Sequence, residues 1–328
     1  MFKKVLVTGG TGFLGSYILQ ELISKGYAVR AIRRSNSAMP AWIDAAVLNK
    51  VEWVEGDILD VVSLEDAMEG IGSVIHAAAV VSFNNKDKNL LYDINTEGTT
   101  NVVNVALEKN IARFVYISSV AAVGRKKNGT LVNESAKWEE SSVHTHYARS
   151  KYKAELQVWR GISEGLNGVI VNPSTILGYG NWNNSSCAIF KQLHDGFKWY
   201  TEGLNGFVDV ADVAKCTVLL MESSIEGERY IVNGDNWSFR KLQETIADGF
   251  GVKKPSLKAG KFLLGIAWKI AYFKSLFDGK KPLLTKESAR VASSHTAFSN
   301  EKLLKAIPEF SFTPLEITIK NACANYKH

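Results

Sequence analysis

A short apolar run, Lys4–Thr8, ends in TGGTGFLG, which sets Gly9, Gly10, Gly12 and Gly15 within seven residues. Glycine loses more backbone freedom on ordering than any other residue, so such a cluster is costly unless the chain must turn sharply or something must approach it closely. The residues that follow, Phe13–Lys25, carry apolar side chains at helical spacing. A strand entering a helix through glycines serves three ends: a tight turn, close approach of backbone to a phosphate, and close packing of helix on strand. The helix start then offers unpaired N–H groups and the positive end of its dipole to a pyrophosphate. The spacing Gly9, Gly12, Gly15 is GxxGxxG rather than the GxGxxG of the usual dinucleotide fingerprint, so the turn has to be weighed with the rest of the chain.

The rest of the first half repeats that rhythm. Tyr27–Arg33, Val51–Glu55, Ser73–Ala77, Phe114–Ser118 and Gly168–Asn172 read as strands, while Ser63–Met68, Leu90–Glu108 and Tyr147–Arg160 read as helices. Strands alternating with helices predict an α/β protein with a doubly wound, Rossmann-type parallel sheet covered on both faces. After about Ser174 the rhythm breaks. Residues 177–206 are rich in loop formers and aromatics; Val208–Glu222 reads as strand then helix, Arg229–Val232 as strand and Phe239–Phe250 as helix. The expected organisation is a nucleotide-binding domain over 1–174, rejoined by 207–235, and a smaller C-terminal substrate-binding cap from 175–206 and 236–328. Ligands of open α/β sheets bind beyond the carboxyl ends of the strands, where such a cap would close a pocket.

Composition narrows the class further. Hydrophobic residues make up 46% and charged residues 22% of the 328 residues, ordinary for a globular protein with a sizeable core. The net charge of +6 is scattered along the chain, whereas a nucleic-acid binder tends to carry one basic face with interleaved aromatics. Nucleic acid is therefore disfavoured as a partner, and anionic small molecules are favoured. Cys187, Cys216 and Cys323 lack CxxC spacing, which suggests neither a disulfide framework nor a zinc site. No secretory signal is read at the N-terminus, and a cytoplasmic location is expected. His144 and His146 stand two apart and read as loop residues at a pocket rim; His76, in an apolar strand, reads as a satisfied core residue. No metal is expected.

The end of the second strand bears on which dinucleotide binds. A carboxylate about 20 residues past the glycines holds the ribose 2′-OH of NAD, whereas arginine suits a 2′-phosphate. This strand ends Ala31-Ile32-Arg33-Arg34, with no acid in place. A guanidinium grips a phosphate through a bidentate fork. NADP is expected ahead of NAD, with Arg33 the stronger contact and Arg34 the weaker; two solvated surface arginines are the plainer alternative.

Tyr147 and Lys151 stand four apart in HYARSKYKAEL, hence on one face of a helix. That helix follows a strand whose end carries Ser118 and Ser119. A phenol normally titrates near 10, and a nearby ammonium favours its phenolate, making it a usable proton donor or acceptor. With a serine hydroxyl to orient a carbonyl and a nicotinamide for the hydride, these groups suffice for carbonyl reduction or alcohol oxidation.

Taken together, these motifs resemble the extended short-chain dehydrogenase/reductase superfamily, the NAD-dependent epimerase/dehydratase family, over most of the chain. TGGTGFLG is similar to its TGxxGxxG loop, which implies cofactor contacts from Gly9, Thr11, Gly12, Phe13, Leu14 and Gly15. GDILD resembles the stretch that holds the adenine, here Asp57 and Ile58. HAAA places Ala77, Ala78 and Ala79 where the family lines the ribose and pyrophosphate. DINTEGT resembles its NxxGT helix and makes Asn95 a cofactor-side or structural residue. YISSVAAVG implies Ser119 as the catalytic serine, and YARSK the catalytic Tyr147 and Lys151, which also face the cofactor. VNPSTILGYG puts Pro173 near the nicotinamide, and FVDVADVA is similar to a further family signature. Within the superfamily, the wording is most similar to dihydroflavonol 4-reductases and 3β-hydroxysteroid dehydrogenases. Val120-Ala121-Ala122 stands where sugar-nucleotide dehydratases carry an acidic pair.

The resemblance implies an NADP(H)-dependent oxidoreductase acting on a small-molecule carbonyl or alcohol, with homodimerisation through two helices expected from relatives. Two alternatives stand beside it: a nucleoside-diphosphate-sugar epimerase that retains NAD, and a non-catalytic NADP-sensing regulator. Lys261–Phe277 is strongly apolar but lysine-interrupted and short of the ~20 residues of a span, so it reads first as a cap helix and second as a peripheral membrane contact.

Overall fold

The computed structural model describes residues 4–124, 131–141, 144–260 and 292–326; the apolar stretch Lys261–Phe277 lies outside the described residues. Its centre is a seven-stranded, all-parallel sheet. The strands are β1 (Lys4–Thr8), β2 (Val29–Arg33), β3 (Glu52–Glu55), β4 (Ile71–His76), β5 (Arg113–Ile117), β6 (Gly168–Pro173) and, from far along the chain, β10 (Glu228–Val232). Their spatial order is β10-β6-β5-β4-β1-β2-β3. The chain moves outward from β1 in one direction and then returns to build the other half, so the order reverses between β1 and β4. That reversal opens a crevice at the carboxyl ends of both strands, where ligands of such sheets bind.

The central strands are buried end to end, as β5 (RFVYI) and β6 (GVIVNP) illustrate, because helices cover both faces. On one face, α1 (Phe13–Ser24) and α8 (Val210–Glu222) pack on the sheet through Ile18, Leu19, Leu22, Val213 and Val218. On the other, α3 (Val61–Met68), α5 (Gly98–Glu108) and α6 (His146–Ser163) bury Leu64, Met68, Val102, Val103, Ala154 and Val158 against Leu6, Phe114, Tyr116 and Ile170. The stretch expected as one helix over Leu90–Glu108 is α4 (Lys88–Tyr92), a π turn (Asp93–Glu97) and α5 in succession.

Residues 175–206 are less irregular than their composition suggests. They contribute β7 (Thr175–Leu177), α7 (Ala188–His194) and β8 (Trp199–Tyr200), followed by β9 (Leu204–Asp209). β7 and β9 leave the main sheet and form a small sheet with β11 (Asp235–Ser238). A separate apolar cluster joins Phe190, Phe207, Trp237 and Leu242 to residues of α9 (Phe239–Phe250) and of the C-terminal helix α11 (Leu315–Tyr326). The tail divides. Leu303 of α10 (Glu301–Ala306), Ile307 and Phe310 pack with the main sheet, while α11 packs in the separate cluster.

Candidate active site

The glycine turn sits at the carboxyl end of β1. Gly9 adopts φ +73°, and a Cβ there would lie 2.6 Å from the Ala78 backbone nitrogen. A Cβ on Gly15 would lie 2.1 Å from the Gly9 carbonyl oxygen. These two glycines let the turn, the helix and the strand exit at Ala77–Ala78 touch. Gly12 differs, because a Cβ there would meet only the Gly9 carbonyl within 4 Å and otherwise point into open space. The α1 N-terminus has no side-chain cap and no acidic residue in its first turn. Its first-turn N–H groups, with the open space beside Gly12, fit a pyrophosphate. The Phe13 ring packs edge-on against Tyr17 and close to Gly180, so this residue has its backbone rather than its ring to offer a ligand.

Beyond β2 and β3 lies a cavity of about 430 Å³ lined by Arg34, Ser35, Asn36, Glu55, Gly56, Asp57, Asp60 and Ser63. Arg34 is among its lining residues and Arg33 is not. Asp57 Oδ1 accepts from the Leu59 N–H at 3.0 Å. The Ile58 side chain is buried and would collide with a Cβ on Gly98, so it supports α5 from behind the cavity. Asn95 is fully buried: its Nδ2 donates to the Val80 carbonyl and to Ser150 Oγ, both at 2.9 Å, and its Oδ1 accepts from the Val80 N–H at 2.7 Å. Of the two roles expected for it, this geometry is the structural one. It ties the strand exit that carries Ala77, Ala78 and Ala79 to α6.

Helix α6 begins where Thr145 caps it, Oγ1 accepting from the Ala148 N–H at 2.9 Å. Tyr147 falls in the first turn and Lys151 one turn on. Ser119 lies just past β5, and its Oγ accepts from the Ala121 N–H at 3.1 Å. Ser119 and Tyr147 lie close enough for the serine hydroxyl to act on the phenol. Burial pushes the Tyr147 hydroxyl above its ordinary range, and the nearby Ser119 hydroxyl partly opposes that. The Phe83 ring packs edge-on against Tyr147. Lys151 is buried, its Nζ donating to Tyr116 Oη and to the Ile117 carbonyl, both at 2.8 Å. Burial pushes the amine down to about 7, and the charge of Glu155 works the other way. Pro173 closes β6 beside these groups, trans and buried.

Glu155, one further turn along α6, was not singled out from sequence. Its carboxylate is buried and accepts from Ser118 Oγ at 2.6 Å, Asn172 Nδ2 at 2.8 Å, Trp159 Nε1 at 3.3 Å and Arg229 at 2.9 Å. Asn172 Nδ2 also donates to the Ser119 carbonyl at 3.0 Å. The four-residue spacing Tyr147, Lys151, Glu155 was a legible signal for the glutamate; nothing local marked Arg229, which arrives on β10.

His144, His146 and the aromatics Trp138 and Trp182 have ring neighbours. His144 stacks on Trp138, His146 lies edge-on to Tyr92, and Trp138 also stacks on Tyr152. Trp182 stacks on Tyr326 of α11. His76 is buried between Thr8 Oγ1 at 2.7 Å and Thr99 Oγ1 at 2.9 Å, the satisfied core residue expected. Among the described residues no group of three or more His, Cys, Asp or Glu could hold a metal ion, and no helix is long and apolar enough to cross a membrane.

Comparison with known proteins agrees with this geometry. The chain is 32% identical over 295 residues to sterol demethylase protein B of Methylococcus capsulatus, covering 88% of each chain. It is 34% identical over 270 residues to a putative dihydroflavonol 4-reductase of Synechocystis, covering 80% of this chain and 77% of the relative. The crystal structure of gox2253 superposes with a TM-score of 0.83 at 29% identity, covering 99% of this chain and 98% of the other. The family model of the NAD dependent epimerase/dehydratase family matches residues 5–233. The chain belongs to that family, within the extended short-chain dehydrogenases/reductases, whose members bind a nicotinamide cofactor and act on small molecules.

Proposed function

We propose that the protein is an NADP(H)-dependent oxidoreductase that reduces the carbonyl of a small organic molecule to an alcohol, or runs the reverse. The observation that carries this reading is the placement of Tyr147 and the buried Lys151 one turn apart on α6, with Lys151 Nζ tied to the Ile117 carbonyl at 2.8 Å, two residues before Ser119. Bound at the crevice, the nicotinamide supplies or accepts the hydride. Gly9, Thr11, Gly12, Leu14, Gly15 and the Phe13 backbone cradle its pyrophosphate, Ala77–Ala79 wall the adjoining ribose, and Asp57 with the Ile58 backbone borders the adenine. Arg34 first and Arg33 second grip the 2′-phosphate. Ser119 holds the substrate oxygen, Tyr147 delivers a proton to it in reduction and takes one in oxidation, and Lys151 binds the nicotinamide ribose and eases loss of the phenolic proton. Pro173 flanks the nicotinamide.

The names of the relatives bear on the substrate. A sterol demethylase protein, a putative dihydroflavonol 4-reductase and cinnamoyl-CoA reductases among them favour a ring-bearing, largely apolar carbonyl. NADPH oxidation screened over aldehydes, flavonoid-like ketones and steroid ketones tests this. Turnover of at least one class is expected, absent in Tyr147→Phe and faster with NADPH than with NADH. No turnover across the panel, with tightly held NAD released on denaturation, would favour a sugar-nucleotide epimerase instead.

A further inference from the structure

Lys151 is held by a tyrosine that the catalytic set does not include. The hydroxyl of Tyr116, on β5, accepts from Lys151 Nζ at 2.8 Å, and the same Nζ lies 4.5 Å from the Tyr116 ring centroid. Both side chains are buried. No water can replace a lost partner there without a cavity to hold it.

Thr99 Oγ1 donates to the Asn95 carbonyl at 2.6 Å, which uses its only proton. Its oxygen is then an acceptor for His76 Nε2 at 2.9 Å, and the His76 ring stacks on the Tyr116 ring with centroids 5.5 Å apart. His76 is thereby assigned the Nε2–H tautomer, and its Nδ1 accepts from Thr8 Oγ1 at 2.7 Å. Thr8 in turn accepts from the Ala78 N–H at 3.2 Å. Tyr116 Oη presents a lone pair to Lys151 Nζ and so favours the ammonium over the amine. Hydrogen bonds run from the backbone beside the glycine turn through Thr8 to His76 and Thr99, and the stack of His76 on Tyr116 joins them to the active-site lysine; burial keeps Tyr116 a phenol and His76 neutral throughout the working range.

We infer that Tyr116 is a positioning residue, whose ring is held by the stacked His76, itself anchored on Thr99, and whose phenol oxygen fixes the Lys151 amine in place and holds its proton. The inference deepens the proposed function and rests on that reading for its consequence in turnover. Titratable and charged groups face Lys151 from each packed element: Tyr147 and Glu155 from α6, Tyr116 from β5, His76 from β4, and Arg229 from β10 through Glu155. Only Tyr116 places a side-chain acceptor on Nζ among the hydrogen bonds of the described residues.

The test is a pH titration of Lys151 in the cofactor-free protein, followed by NMR of ¹³Cε-labelled lysine, with the signal assigned by its loss in Lys151→Met. In Tyr116→Phe the midpoint should fall by about one pH unit, the size expected when a hydrogen bond to a charged group is lost. Thr99→Val should move it the same way by less, and it decides the matter if Tyr116→Phe does not fold. An unchanged midpoint overturns the inference. In the reductive assay, the alkaline limb of the rate should move to lower pH in Tyr116→Phe. If the midpoint moves while no variant, wild type included, turns over any carbonyl, the proposed function fails and the positioning role stands. If the wild type turns over and the midpoint stays, the positioning role alone fails.

Discussion

The two sides of the crevice are built by opposite means. The cofactor side is shaped by missing side chains: Gly9, Gly12 and Gly15 let backbone meet backbone and leave space over a helix end. The chemistry side is shaped by buried polar side chains that satisfy one another, with Glu155 accepting from Ser118, Asn172, Trp159 and Arg229 while Lys151 donates to Tyr116. An anion held by backbone N–H groups needs room and a fixed turn. A proton donor needs a fixed charge environment, and inside a protein that requires paired groups, because an unpaired buried charge is costly. The first kind of wall tolerates changes of solvent and fails on any added atom. The second tolerates small changes of shape and fails on any change of charge.

Acid should break the polar side first. His76 is pushed down to about 3 by burial, with the Lys151 charge as a secondary cause, against an ordinary value near 6.5. Between those limits the unfolded chain binds the proton that the folded one refuses, so stability falls as pH drops from about 6.5 toward 3. At ~1.4 kcal/mol for each pH unit of separation, the full loss is about 4–5 kcal/mol. Urea midpoints of wild type and His76→Gln at several pH values check it; equal slopes would contradict it.

Arg229→Met should cost about 3 kcal/mol, because it leaves the Glu155 carboxylate buried with neutral partners only. Chemical denaturation measures this, and the same variant should slow turnover more than it weakens cofactor binding. Gly15→Ala should cost about 2–3 kcal/mol and abolish tight nucleotide binding, since its Cβ meets a backbone oxygen that cannot yield without distorting the turn. The contrast predicts that this variant loses cofactor affinity before it loses the Lys151 titration. The smallest effect is at Arg34→Ala, which should weaken NADPH about tenfold, roughly 1.4 kcal/mol, and leave NADH unchanged. Calorimetry with both nucleotides would show it, and the same measurement on Arg33→Ala ranks the two arginines.

The same contrast explains what could be read before any coordinates. Strands β1 to β6 and the glycine turn were legible because buried parallel strands are short apolar runs and a phosphate turn needs glycine at set spacing. Tyr147, Lys151 and Ser119 were legible because they lie on one helix and one strand end. Tyr116 sat in view inside FVYIS yet looked like any apolar strand residue, since its role comes from Lys151 and His76 on other elements. Arg229 was hidden for the same reason, 74 residues from its partner Glu155. Residues 175–206 hid α7 and β7 because their apolar contacts are with α9 and α11, which no local period reveals.

The central claim is a hydride delivered to a carbonyl carbon with Tyr147 as the proton donor. It is tested most directly by incubating the protein with NADPH deuterated at each face of the nicotinamide C4 and a turned-over carbonyl, then weighing the alcohol. The account predicts one deuterium in the product from one face only, no product from Tyr147→Phe, and unchanged NADPH affinity in that variant. Deuterium absent from the alcohol, or a Tyr147→Phe rate equal to that of the wild type, would contradict it.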